Sequence, residues 1–211
     1  MHQPRTFVET DLAALDALVG RDNFITLVTV SDGHAEANHL PVLYHRDGDR
    51  VQLQGHVSRA NPVRRTAGRC LAIVHGPNAY VSPGWYPDKE EEARVPTWNY
   101  AVAHLEGVLE FFTDEGALAG IVDRLSLQHE AAVGSDWRFE MDREDHRNQL
   151  RGIVGFRVEV ARITMKFKLN QNHPQANRVA VSDQLAISAR ESSRDTAELM
   201  RARLAAPIAG D

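Results

Sequence analysis

Cysteine and long apolar runs are what this chain has least of. Cys70 is its single cysteine, so no disulfide can form within the chain, and its apolar neighbours at 71–74 predict a small buried hydrophobe. No apolar run approaches the roughly 18 residues of a membrane helix, and the first residues lack the charged-then-apolar profile of a signal peptide. The sequence therefore predicts a cytoplasmic protein that does not enter a membrane.

Several motifs of chemical function are absent as well. There is no glycine-rich dinucleotide motif, no P-loop and no Gly-x-Ser-x-Gly elbow, so a nucleotide-binding α/β enzyme and a nucleophilic hydrolase have no support. The ten histidines include no His-Glu-x-x-His pattern and no cysteine pair accompanies them, so we expect no zinc site. With no helix-turn-helix and a formal net charge of −5, general attraction to nucleic acid is not expected, although a local basic patch could contact DNA.

No segment of the 211 residues resembles a linker between domains. Hydrophobic residues make up 43% of the chain and charged residues 25%, which is typical of a globular protein with one sizeable core. We expect one domain over residues 1–178, with residues 179–211 as a helical extension of the same domain. Ala197, Met200 and Leu204 at helical spacing indicate a terminal helix in this extension.

Alternation of apolar and polar residues dominates the rest of the chain. Three strands separated by turn signals are expected to form an antiparallel meander: Phe24–Val30, Ala35–His45 and Val51–His56. Further strands are expected over Cys70–His75, Ala79–Ser82, Thr97–Phe112 and Gly152–Leu169. About six or seven antiparallel strands with few helices would leave open edges, which closure into a small barrel removes. The predicted fold class is mainly β, a β-barrel with peripheral helices.

Three helices are expected beside the strands. The first follows Thr10–Asp11 and places Leu15 and Leu18 on one face, and a second is capped by Thr113 and carries Leu118 and Leu125. A third, shorter helix is expected near residues 143–150.

The stretch from Gly76 to Tyr100 has an unusual composition. It holds five aromatic residues among four prolines, with polar side chains interleaved. Proline stiffens a backbone and aromatic rings supply flat faces, so the stretch suits a rigid, lined cleft. The alternative is a proline-broken loop whose aromatic rings fill the edge of a core, with Asp88–Arg94 as a solvated excursion.

A candidate phosphate site follows the third strand. Asn61 and Pro62 are typical of the cap and first position of a short helix, and Ser58, Arg59 and Arg64 stand close by in sequence. Free backbone N–H groups, a hydroxyl and arginines are the groups that a phosphate dianion needs. The alternative is a capped helix whose arginines are solvated.

Six sequence blocks in fixed order resemble the PaiB family, whose members are described as FMN-binding negative transcriptional regulators. The blocks are NHLP (38–41), GHVSRANP (55–62), GPNAYVSPGWY (76–86), VPTWNY (95–100), GIVGF (152–156) and KLNQN (168–172). The family's last block usually reads KLSQN, so Asn170 departs from it, and the charged insert at Asp88–Arg94 is longer than expected.

This resemblance implies an FMN-binding split barrel of the pyridoxamine-phosphate-oxidase type, working as a homodimer with FMN at the subunit interface. The residues that it implies around the cofactor are His39, His56, Ser58, Arg59, Asn61, Arg64, Ser82, Trp98, Asn99, Lys168, Gln171 and Asn172. Ser58, Arg59, Asn61 and Arg64 would hold the phosphate and the two histidines would line the flavin. The residues from Ser82 onward would complete the pocket, from the same or the other subunit.

Two classes of function follow from the resemblance, and a third is kept beside them. The first is a negative transcriptional regulator or flavin-dependent sensor, with DNA as a partner. The second is an FMN-dependent oxidoreductase with a nicotinamide donor, because flavin chemistry needs no acid, base or nucleophile from the protein. The third is a haem-binding protein in which His39, His56 or His75 is the iron ligand.

Overall fold

The computed structural model describes residues 1–205, which form two compact units. The terminal unit consists of residues 1–11, residues 75–103 and the chain from 164 on, and the central unit consists of residues 12–74 and 104–163. Residues 206–211 of the predicted extension lie outside the described part of the chain.

The strands are β1 (Val8–Glu9), β2 (Phe24–Ser31), β3 (His34–Pro41), β4 (Leu43–Asp47), β5 (Arg50–Ser58), β6 (Gly68–Val81), β7 (Thr97–Phe112) and β8 (Ile153–Lys168). They form one sheet in the order β3-β2-β6-β7-β8-β5-β4, with β1 paired to β8. The long strands β6, β7 and β8 each contribute residues to both units. A mainly β architecture was predicted, and the eight-stranded antiparallel sheet confirms it.

The helices are α1 (Leu12–Arg21), α2 (Glu115–Val133), α3 (Glu144–Gln149), α4 (Gln175–Ala186) and α5 (Glu191–Ala205). Helix α1 buries Leu15 and Leu18 as its spacing predicts. The N-cap of α2 is Asp114, whose Oδ1 accepts from the backbone N–H of Ala117 at 2.8 Å, so the prediction of Thr113 as the cap was wrong by one residue. None of the helices in the described chain is long and apolar enough to cross a membrane.

The predicted second strand is divided at Val42. Its first half, β3, pairs with β2, whereas its second half, β4, pairs with β5. Val42 is buried, its N–H donates to the carbonyl of Asn23 at 3.0 Å, and the Asn23 side chain donates back to the Val42 carbonyl at 2.8 Å. The predicted three-stranded meander was therefore wrong, because Pro41 supplies no N–H to continue the ladder and the chain changes its pairing partner there.

Strand β6 corrects a second prediction. The sequence suggested two strands, at Cys70–His75 and Ala79–Ser82, because Gly76 and Pro77 stand between them. The structure has one strand of 14 residues through both segments. Strand β6 lies between β2 and β7 in the sheet, with β2 paired to residues 70–73, and such non-local pairing overrides the local signal of a glycine and a proline.

The core of the central unit is built from alternating residues of the strands. Its largest fully buried side chains include Ile25, Leu27, Leu53, Leu105, Leu109 and Phe156. In the terminal unit α4 packs against α5, burying Val181, Leu185, Ala197 and Met200. Helix α4 lies where the sequence reads as polar, and the predicted boundary at residue 178 falls inside it.

Candidate functional site

The predicted phosphate loop is a single 3-10 turn at Pro62–Arg65, directly after β5. Asn61 is its cap, because its Oδ1 accepts from the N–H of Val63 at 3.0 Å, and Pro62 occupies the first position. The predicted cap is thus confirmed. The turn is too short for a substantial helix dipole, so any anion held here depends on side chains and individual N–H groups.

Asn38 is brought to this turn from β3, 23 residues away in sequence. The Asn61 Nδ2 donates to Asn38 Oδ1 at 2.8 Å, while Asn38 Nδ2 is buried and has no hydrogen-bond partner within residues 1–205. A buried donor left without a partner costs about 1–3 kcal/mol, which a ligand oxygen would recover. Asn38 was not among the predicted site residues, although it opens the NHLP block that carries part of the family resemblance.

Arg59 is held by the backbone at the start of β8. Its N–H donates to Gly152 O at 2.8 Å, its Nε to Arg151 O at 2.7 Å and its Nη2 to Ile153 O at 3.2 Å. The side chain is exposed, and these bonds fix the guanidinium in place. Ser58 and Arg64 are exposed on the same connection, and Ser58 Oγ accepts from the N–H of Ala60 at 3.2 Å. The structure therefore places a pre-oriented cation beside a capped turn.

The two predicted histidines lie on strands of the central unit. His39 is exposed, with Nδ1 at 3.1 Å from Thr26 Oγ1, and alternation along β3 points it to the face opposite Asn38. His56 is half-buried and its Nδ1 has no partner within the described chain. Burial lowers the pKa of the His56 imidazole, which favours the neutral ring.

His56 shares a face of β5 with Gln54, whose Oε1 accepts from Arg124 of α2 at 3.1 Å. The face of β5 that carries His56 is therefore also the one that α2 approaches. A flavin role for His39 and His56 stays a prediction.

The second group of predicted residues lies in the terminal unit, with Lys168 at its centre. Lys168 Nζ donates to Trp98 O at 2.7 Å and to Thr97 Oγ1. Both acceptors are neutral, and no carboxylate in the described chain forms an ion pair with this ammonium. Burial, followed by the charge of Lys166, lowers the pKa of Lys168.

A cleft of about 380 Å³ opens beside Lys168. Its wall includes Arg94, Val95, Pro96 and Thr97 on one side and Asn172 and His173 on the other. The segment before β7 thus forms part of a cleft, but none of the five aromatic residues of the stretch from Gly76 to Tyr100 lines it. The alternative prediction, that the rings fill the edge of a core, holds for Tyr86, which is 1% exposed and belongs to the core.

Three predicted residues of this unit form hydrogen bonds within it. Ser82 Oγ accepts from the N–H of Gly84 at 3.2 Å, and Gln171 accepts from the N–H of Leu169 at 2.6 Å and donates to Phe167 O at 2.5 Å, so both shape the local backbone. Asn99 is fully buried, its Nδ2 donates to Met200 Sδ at 3.3 Å, and its Oδ1 has no partner within the described chain. The part of all three in cofactor binding stays a prediction.

Trp98 differs from these three because its ring is 46% exposed. It meets Tyr80 edge to face, with centroids 6.0 Å apart. Two large rings at one surface of the terminal unit are suited to contact a flat ligand or another protein surface.

A polar network surrounds buried Tyr86. Asn170 Nδ2 donates to its hydroxyl at 2.9 Å, and the His173 ring stacks on it at 4.9 Å. Asn170 has φ +63°, a left-handed conformation that Asn tolerates better than Ser does. The departure from the family's serine therefore suits this backbone.

The charged insert is only partly a solvated loop. Residues 89–92 are exposed, but Asp88 forms an ion pair with Arg94 and accepts from Asn177 Nδ2 at 2.8 Å. The guanidinium of Arg94 also lies 5.8 Å from the Tyr86 ring centre. These contacts tie both ends of the insert to the terminal unit.

The Asp88 pair predicts a pH dependence of stability. The hydrogen bond from Arg94 holds the pKa of Asp88 at about 2, below its ordinary value near 4. A carboxylate with a depressed folded-state pKa stabilises the fold above the unfolded pKa, and this contribution is lost as pH falls from about 4 to about 2. Asp88→Asn should therefore be less stable than the parent at pH 6 and should approach it at pH 2, as measured by urea midpoints.

The exposed turn residue Asp49 offers a control. Asp49→Asn changes the net charge equally and should keep the parent's profile between pH 6 and pH 2. A constant difference between Asp88→Asn and the parent across that range would contradict the assignment.

Comparisons with known proteins identify a family and a fold for this chain. Residues 1–162 match a family described as "Putative FMN-binding domain". "Protease synthase and sporulation protein PAI 2" of Bacillus subtilis is 29% identical over 218 residues, which cover 97% of this chain and 98% of that protein. An uncharacterized protein of Emericella nidulans is 22% identical over 245 residues, covering 96% and 97% of the two chains.

Two solved structures share the fold. The FAD and heme binding protein of Mycobacterium smegmatis has a TM-score of 0.59 at 19% identity, covering 82% of this chain and 78% of that one. The flavocytochrome Anf3 of Azotobacter vinelandii has a TM-score of 0.56 at 16% identity, covering 79% and 72%. The predicted fold class, a mainly β split barrel, is confirmed.

Proposed function

Since this chain belongs to the family of FMN-binding domains that its residues 1–162 match, we propose that it works as a PaiB-type homodimer and negative transcriptional regulator whose state depends on FMN. Family membership and the resemblance in six sequence blocks identify a flavin as the cofactor. The dimer and the regulatory role are carried over from the resemblance.

The observation that carries the cofactor site is the unpartnered Nδ2 of Asn38 beside the capped turn. This buried donor needs an oxygen acceptor, and Asn61, which bonds to Asn38, caps the turn that follows Ser58 and Arg59. The group matches an FMN phosphate or ribityl chain, because both present several oxygens and the phosphate also attracts cations. We assign the phosphate to Ser58, Arg59, Asn61 and Arg64, with Asn38 as a further donor.

These residues would act by binding and orientation. The Arg59 side chain is already fixed by two backbone carbonyls, those of Arg151 and Ile153, so little side-chain entropy is lost when it meets an anion. Asn61 holds the turn through its Oδ1 and orients Asn38 through its Nδ2. FMN, when bound, supplies reversible hydride and electron transfer at its N5 atom.

DNA contact is proposed at exposed arginines rather than through overall charge. Arg64 and Arg65 are exposed on the turn after β5 and form a local basic patch on a chain of net charge −5. Such a patch provides the phosphate contacts that dominate affinity for DNA. Because Arg64 is also assigned to the FMN phosphate, bound FMN would neutralise part of this patch, which couples the cofactor to DNA binding.

An FMN-dependent oxidoreductase with a nicotinamide donor is the second candidate. The cleft of about 380 Å³ beside Lys168 favours it, because the cleft gives the terminal unit room for a further small ligand. An enzyme of this kind would consume the donor in solution without DNA.

The first experiment is a titration of the purified protein with FMN, followed by visible absorption, together with its mass by light scattering. We expect one FMN per subunit and a dimer. Electrophoretic mobility shift with the DNA upstream of its own gene then separates the two candidates: specific binding at physiological salt that changes with FMN supports the regulator. NADH or NADPH oxidation by the FMN-loaded protein without specific DNA binding would replace it by the oxidoreductase.

A further inference from the structure

The cleft beside Lys168 contains an ammonium that no carboxylate of the described residues pairs with. Lys168 Nζ is oriented by two neutral oxygens, those of Trp98 and Thr97, and a third proton of the ammonium is left for another acceptor. Glu92 is the one carboxylate among the cleft residues, and it does not pair with Lys168 in the described chain. Lys166 adds positive charge from the same strand, and burial, followed by this charge, lowers the pKa of Lys168.

Two further polar residues line the same cleft. Asn172 is exposed in the cleft wall and carries an amide, and His173 Nδ1 is buried with no partner within residues 1–205. Arg94 also lines the cleft, but Asp88 occupies its Nε and Nη2. Of the two cations in the cleft lining, Lys168 is therefore the one that no carboxylate of the described chain pairs with.

The rest of the wall is apolar. Phe7, Ala93, Val95 and Pro96 supply apolar surface to the cleft. A volume of about 380 Å³ exceeds what a bare inorganic ion fills, because ligand pockets for small organic molecules begin near about 300 Å³. The cleft thus suits a molecule with an apolar body and one negatively charged end.

We propose that this cleft binds a small organic carboxylate, with Lys168 Nζ as the cation for its carboxylate and Val95 and Pro96 against its body. Asn172 would donate a further hydrogen bond. The site belongs to the terminal unit alone, and it does not rest on the proposed phosphate site at Ser58, Arg59, Asn61 and Arg64 in the central unit. Lys168 and Asn172, which the family resemblance implies around the cofactor, are assigned here to the carboxylate instead.

Benzoate is a suitable probe, because it joins a carboxylate to an apolar ring, and benzamide is its neutral counterpart. We expect benzoate to shift the backbone amide NMR signals of residues 92–98 and 172–173, saturating below about 20 mM. Benzamide and inorganic phosphate should each bind at least tenfold more weakly, because one lacks the charge and the other lacks the apolar body.

Lys168→Gln should reduce benzoate affinity at least tenfold, while Lys89→Gln, an equal charge change on an exposed residue of the same unit, should not. Asn172→Asp provides a variant that leaves the partly buried lysine intact, and its added negative charge should abolish binding without lowering the melting temperature. Benzoate binding that survives both cleft variants would overturn the proposal, as would no shift in the parent up to about 20 mM.

Competition with FMN separates this inference from the proposed function. FMN should leave the signals of residues 92–98 unmoved. Displacement of benzoate by FMN would assign the cleft to the cofactor and overturn the proposal. If the parent protein does not bind FMN, the proposed function is contradicted, whereas the benzoate result still holds.

Discussion

Replacing both Arg59 and Asn61 by alanine is expected to weaken FMN binding about a hundredfold. Hydrogen bonds to a charged group contribute about 1.5–3 kcal/mol each, and every 1.4 kcal/mol is about a factor of ten in affinity. The double variant removes the pre-oriented guanidinium, the turn cap and the support of Asn38 at once. Quenching of FMN fluorescence during titration measures the dissociation constant directly.

Because Arg59 and Asn61 also form hydrogen bonds that stabilise the fold, a conservative variant is needed beside the double alanine variant. Asn61→Asp keeps an Oδ1 acceptor for the N–H of Val63, and Asp is as good a cap as Asn, so the turn should persist. Its negative charge faces the proposed phosphate position, and it no longer donates to Asn38. FMN affinity should therefore fall at least about tenfold with an unchanged urea midpoint.

Arg50→Ala, at the other end of β5, is the control for lost positive charge and should bind FMN like the parent. Parent-like affinity in both Asn61→Asp and the double alanine variant would remove the phosphate assignment. A fall in affinity that always accompanies an equal loss of folded protein would show a structural role only.

Gly107→Ala is expected to destabilise the protein by about 3 kcal/mol or more, a large fraction of the roughly 5–15 kcal/mol by which folded proteins are stable. Gly107 lies in β7, and a Cβ built there would stand 2.2 Å from the carbonyl oxygen of Glu159 on β8. That oxygen belongs to the backbone, so a rotamer change cannot relieve the overlap. Strands β7 and β8 would have to separate, which breaks ladder hydrogen bonds in the middle of the sheet.

Gly120→Ala is the matched control, since it makes the same substitution where the structure is open. No atom lies within 4 Å of a Cβ at Gly120, which is in the interior of α2. Alanine has the higher helix propensity, so this variant should gain about 0.5–1 kcal/mol. Urea unfolding of both variants measures the two opposite effects. Equal urea midpoints would show that the close approach of β7 and β8 does not restrict the residue at position 107 to glycine.

Local patterns in the sequence were enough for the elements and for one part of the site. The apolar spacing of α1 and α2, the alternation of β5 and β7, and the Asn61-Pro62 cap each depend on residues within a few positions of one another. Propensity, periodicity and capping act at that range, so these elements can be recognised from the sequence before the fold is known. The family resemblance also predicted FMN as the cofactor, because it compares whole sequence blocks and their order.

Only the tertiary structure decided which strands pair and which side chains meet. The change of partner at Val42, the bond between Asn38 and Asn61, and the approach of Gly107 to Glu159 join residues far apart in sequence. The cleft beside Lys168 likewise joins residues near 95 to residues near 170. Such contacts follow from strand register and chain path, so an unpaired buried donor or an uncompensated ammonium becomes visible only when the sheet is assembled.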